Sequence, residues 1–162
     1  MGKPGKEKGQ SKSKNIAQVR RDRLVPILNK WIERLALTGW DIYFDIVDDT
    51  LGKNISGKES FAECELIPPY KKAVLHFSTH YLDGYNDVAL ERAVIHELSH
   101  IVFAPLYDVY SELYKRNKKM AELLFGVTEE VCDSFMVLIY RWAETGGSGD
   151  FVFSVDDEDV HE

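Results

Sequence analysis

The segment from Ala89 to Phe103, ALERAVIHELSHIVF, sets the hardest constraint in the chain. Ala93, Val94, Ile95, Leu98, Ile101, Val102 and Phe103 leave few sides of a helix here to water, so the helix has to be buried. His96, Glu97 and His100 lie inside that same run. Polar and charged groups taken out of water are costly unless they are hydrogen-bonded, paired or bound to a metal. Whatever packs on this helix must bring partners for three ionisable side chains. Solvated histidines, or core histidines held by hydrogen bonds, are the plain alternative; a metal ion answers the whole triplet at once.

His96 and His100 are one turn apart, and both imidazoles can point at one ion. Glu97 sits about 100° round the axis from His96. That angle makes it a poor third ligand and a good base for water at the ion. Metal sites that do chemistry commonly have three protein ligands and one open position. The third is sought in GVTEEVCDSFMVLIYRWAE, where Glu129 and Glu130 compete. Glu129 shares a helix face with Asp133, and the face continues to Met136 and Tyr140. One carboxylate could then bind the ion while Asp133 accepts the second N–H of a ligand histidine. Glu130 has Ser134 at the matching position, so Glu129 is favoured and Glu130 is the alternative. Thr128 as a helix N-cap with acids after it would account for a glutamate here, but not for Asp133 among apolar residues.

Other candidates are weaker. Tyr140, His80 and Tyr107 could stabilise a developing oxyanion, and His76 on a strand could face a substrate. Cys64 and Cys132 are too few for a disulfide framework and read as buried thiols.

Periodicity supplies the frame. Ile16, Val19, Leu24, Ile27, Leu28, Trp31, Ile32 and Leu35 predict an amphipathic helix over residues 15–37, kinked or restarted at Pro26 and ended by Thr38-Gly39. WDIYFDIV, SFAECELI and KAVLHFS predict three strands, with PPY turning the chain between the last two. Helices are predicted over 88–104, 107–125 and 128–144, with Gly126 separating the last two. The expected class is α+β: an N-terminal helix, a small antiparallel sheet of about three strands, then three helices including the histidine-bearing one.

With 162 residues, 44% of them hydrophobic, one domain with its own core is expected over residues 15–144. The net charge of −7 is unevenly spread. Residues 1–23 carry eight Lys/Arg against two acids, and residues 150–162 carry six acids and no Lys or Arg. Residues 1–14 are expected to be a disordered basic arm and residues 145–162 a flexible acidic tail. The tail's DFVFSV alternates like a strand, and with His161 it raises the alternative of a tail folded back into the cleft. A basic arm is ordinarily solvated; nucleic-acid contact is the secondary expectation. MGKPGKEKGQSKSK is not a signal sequence and no apolar run reaches membrane length, so a cytoplasmic protein without membrane contact is expected.

HELSH followed by Glu129-x-x-x-Asp133 on a later helix resembles the gluzincin pattern of zinc metallopeptidases. With so few residues around it, the chain is similar to minigluzincins and phage-type metallopeptidases over about Trp40 to Trp142. IVFAPLYDVY after His100 lacks the glycine and third histidine of metzincins. The resemblance implies one Zn2+ per chain held by His96, His100 and Glu129, with Asp133 behind them and Glu97 as general base and acid. It implies an endopeptidase acting on a peptide or protein, with strand Ala73–Phe77 as the cleft rim on which an extended substrate pairs. Zinc is the family's metal; two imidazoles and a carboxylate suit other divalent ions as well. The alternative is a non-catalytic metal-binding regulatory or interaction module that contacts nucleic acid through its basic arm.

Overall fold

The computed structural model describes residues 7–48, 51 and 60–146. The acidic tail, with His161 and the fold-back alternative, lies outside the described residues, as do residues 1–6.

Leu24, Leu28 and Trp31 recur on one face of a helix, and all three are buried. They anchor α1 (Glu7–Arg34), a single helix with Pro26 inside it rather than two segments. The ring of Pro26 removes one backbone hydrogen bond, and the buried residues on both sides of it hold the helix together. The helix begins at Glu7, inside the arm expected to be disordered, because a packed helix extends readily through Lys and Gln, which are good helix formers. It also stops earlier than Thr38-Gly39. Ala36 turns left-handed at φ 54°, its N–H donates to the Glu33 carbonyl (3.0 Å), and the Leu37 N–H donates to the Ile32 carbonyl (2.9 Å). This pair of bonds closes the helix end, and buried Leu37 seals it.

The three strands are β1 (Asp41–Val47), β2 (Ala62–Ile67) and β3 (Lys72–Ser78), in the order β1-β3-β2. Sheet and class agree with the sequence expectation, but the pairing is mixed. β2 and β3 are antiparallel and β1 and β3 parallel, with Phe44 and Cys64 both opposite Leu75. The tight turn Pro68–Tyr70 forces β2 and β3 antiparallel, whereas the longer stretch between β1 and β2 lets β1 join the far edge of β3 in either sense. Ala73, Leu75 and Phe77 point into the core; Asp41, Tyr43 and Asp45 face out.

A short helix α2 (Thr79–Gly84) leads into α3 (Asp87–Val102), which Asn86 caps by accepting the Ala89 N–H at 2.9 Å. Two further helices complete the chain's described part, α4 (Ala104–Arg116) and α5 (Lys118–Glu144). Gly126 is not the break between them. Asn117 is, because its side chain accepts the Met120 N–H and caps α5. A glycine inside a helix costs only about 1 kcal/mol and packing overrides it. Thr128 is therefore mid-helix, its hydroxyl donating to the Leu124 carbonyl.

One cluster of buried side chains joins α1, the sheet, α3 and Tyr140 of α5. Ion pairs fasten α1 across α2 and α3: Arg20 to Asp83, Arg23 to Asp87, and Lys30 with Trp31 Nε1 to Glu91. Arg20 and Arg23, two cations of the basic N-terminal stretch, are thus held within the chain. No helix among the described residues is long and apolar enough to cross a membrane.

A left-handed alanine carries a steric cost of about 1–2 kcal/mol that glycine avoids, less the extra entropy glycine loses on folding. Ala36→Gly should therefore stabilise the protein by roughly 0.5–1 kcal/mol, about 2–4 °C in Tm, as read by thermal melting.

Candidate metal centre

Val94, Ile95, Leu98 and Ile101 fix α3 in the core, which leaves His96 and His100 facing α5. Their rings lie edge to face with centroids 5.1 Å apart. From α5, Glu129 places Oε2 3.5 Å from His96 Nε2 and Oε1 3.5 Å from His100 Nε2. One ligand atom from each of the three residues lies within 4.8 Å of the others, a cluster that could hold a metal ion. Atoms that each lie about 2.0–2.2 Å from one tetrahedral ion are roughly 3.3–3.5 Å apart, so the spacing and the donor set both fit a divalent cation.

Each histidine has a partner on its other nitrogen. Asp133, one turn beyond Glu129, sits 2.8 Å from His96 Nδ1. Cys132 Sγ, fully buried, lies 3.5 Å from His100 Nδ1. Burial pushes the Cys132 thiol up to about 11, so it stays neutral. In the tautomer that donates Nδ1–H to Sγ, the Nε2 lone pair of His100 faces Glu129, the form a metal takes.

The two imidazoles titrate in opposite directions. Burial works against charge on both. At His96 the Glu129 carboxylate and the charges of Glu97 and Asp133 outweigh it and push the group up to about 9. At His100 burial, with the neighbouring His96, prevails over Glu129 and holds the ring below its ordinary value. Burial also opposes charge on Glu129, but His96 and His100 hold its carboxyl below the usual range. Glu97 differs from all of these. It is buried, lines the same cleft, and makes no hydrogen bond or ion pair among the described residues. Burial, reinforced by Glu129, Glu63 and Asp133 and opposed by His96, pushes it up to about 7.

The centre opens on a cleft of about 1160 Å³ between α3, α4, α5 and strand β2. β2 is the edge of the sheet and lines the cleft with Ala62, Glu63, Cys64 and Leu66. The expected rim, Ala73–Phe77, is the central strand instead, bonded on both sides and unable to accept another. Glu130 is exposed and does not line the cleft. Tyr140 is core, lying under the Arg92 guanidinium and off the cleft. His76 is on the outer face of the sheet, 2.6 Å from Asp45 and 3.9 Å from Glu65, and His80 leans on Phe61. Tyr107 does line the cleft. Cys132, one position short of Asp133 and expected to point away as a plain buried thiol, instead sits beside His100, and Arg92, outside the expected set, lines the cleft one turn before His96.

The chain matches no family model, no curated protein and no solved structure. Its function has to be argued from the geometry of the site.

A cation entering this cluster has to displace the proton on His96. Its apparent affinity should climb with pH until about 9, and each ion bound near pH 7 should release about one proton. Calorimetric zinc titrations in buffers of different ionisation enthalpy count that proton; a count near zero would place His96 outside the binding set.

Proposed function

We propose that the chain is a zinc-dependent peptidase that hydrolyses peptide bonds in the cleft between α3, α5 and β2. One observation carries the reading: two imidazoles and a carboxylate converge at the floor of an open cleft, beside a largely buried Glu97 carboxylate that lines the cleft and has no hydrogen bond or ion pair among the described residues. A buried acid without a partner is costly, and it is retained most readily where it moves protons. His96, His100 and Glu129 would hold the ion, Asp133 and Cys132 would orient the two rings, and the gluzincin resemblance makes zinc the metal of choice. A bound zinc ion would acidify water and polarise a carbonyl group.

The rest falls to the chain's own residues. Glu97 accepts a proton from water and passes it to the amine that leaves as the C–N bond breaks. Water's oxygen ends on the acyl carbon, and its protons end on the new amine and the new acid. The free edge of β2 can hold an extended peptide by backbone hydrogen bonds, which takes little notice of side-chain identity. The substrate on this reading is a peptide or an unfolded stretch of protein.

Glu97→Gln should keep about one zinc per chain and lose roughly 10²–10⁴-fold in hydrolysis of a peptide panel. Glu129→Ala should lose the zinc itself, and Glu130→Ala should not, as read by elemental analysis. A wild type that takes up no zinc after reconstitution would falsify the reading, and full activity in Glu97→Gln would remove its mechanism.

A further inference from the structure

Arg92 stands apart by lining the cleft; Arg21 and Arg34 also rest on rings, those of Phe44 and Trp31, without lining it. Arg20, Arg23 and Lys30 each hold a carboxylate of a neighbouring helix. Arg92 is exposed, lines the cleft, and makes no ion pair among the described residues. It is the one Lys or Arg among the cleft's described lining, where Glu63, Glu97, Glu129 and Asp133 are the acids. Its guanidinium carbon lies 4.8 Å from the Tyr140 ring centroid. A guanidinium that rests one face on an aromatic ring keeps its N–H edge free, and that edge matches a carboxylate with two parallel hydrogen bonds.

The position measures where such a carboxylate would lie. Arg92 precedes His96 by one helical turn, about 6 Å along the axis. An extended peptide covers that in about two residues at roughly 3.3 Å each. Beyond the other end of α3 the cleft is aromatic, with Phe103, Tyr107, Tyr110 and Phe125. Phe61 and Tyr81 bring rings to the Arg92 end too, so the two ends differ in charge, with the cleft's cation among the described residues at one end only.

We propose that Arg92 is a carboxylate-binding position and that the cleft takes peptides carrying a carboxylate within about two residues of the bond that is cut. This rests on the peptidase reading. The carboxylate is an acidic side chain, as in an endopeptidase, or the chain-terminal carboxylate, as in an enzyme that trims peptide ends.

The test uses the full chain loaded with zinc and matched peptides sharing one aromatic residue. They carry Glu or Gln at successive positions, each made with a free or an amidated C-terminus. The wild type should prefer acid over amide by about tenfold or more, as expected for a charged hydrogen-bonded pair. That ratio should fall to near one in Arg92→Gln and only in part in Arg92→Lys, with zinc content and melting temperature checked for each variant. Preference tracking the side chain identifies an acidic residue; preference tracking the terminus identifies the terminal carboxylate. Anisotropy of labelled peptides on Glu97→Gln reads the same ratio as binding, without turnover. Cleavage with no acid preference, or a preference that survives Arg92→Gln, overturns the proposal and leaves the peptidase standing. If nothing is cleaved, the peptidase reading fails and anisotropy alone decides Arg92: equal binding of acid and amide, or none, overturns it.

Discussion

Everything in this molecule depends on how α3 meets α5. α3 is buried on most of its circumference and still carries two histidines and a glutamate, so its neighbour has to neutralise them or leave them at a cost of several kcal/mol. α5 does so for the two histidines, with Glu129, Cys132 and Asp133 along about one turn of helix. The contact is unequal. His96 lies between two carboxylates and is driven toward the charged form, while burial and the neighbouring His96 drive His100 toward the neutral one. The proton this cluster holds near neutral pH therefore belongs to His96, and His100 already has a lone pair to offer.

Glu97 is the one ionisable group of this arrangement left without a hydrogen-bond partner among the described residues. Its burial is tolerated because the rest of α3 is well packed: Leu90, Val94, Ile95, Leu98 and Ile101 all lie in the core, and Glu91 is gripped by Lys30 and Trp31 from α1. The fold thus absorbs a local destabilisation at the floor of this cleft, the usual place for a carboxylate with a raised pKa to do work.

The candidate metal cluster is legible in the sequence because helical spacing is a rigid ruler. His96, His100, Glu129 and Asp133 can each be assigned a direction from residue number alone, and the structure brings those four together. What sequence does not supply is the relation between elements. Alternation marks out β1, β2 and β3 but not which strand is central, since strand order depends on a connection whose length permits either pairing sense. His76 consequently lands on the outer face beside Asp45, and the cleft rim moves from β3 to β2. Gly126 looks like a helix break because glycine is a poor helix former, yet the polar cap of Asn117 decides the boundary. Composition makes Cys132 a plain buried thiol, and only the packing of α5 on α3 puts it beside His100.

Placing the whole centre on two helices has a physical consequence. Both histidines and their partners sit on regular backbone, so the separation of the nitrogens from the carboxylate is set by one quantity, the distance between α3 and α5. Side chains on loops would allow each ligand to drift independently; side chains on packed helices move together or not at all. Farther along the pair, Arg92 of α3 lies over Tyr140 of α5, a contact that links the two helices where the guanidinium lines the cleft. A shift in helix packing would therefore move the His96/His100/Glu129 cluster and the Arg92 charge together.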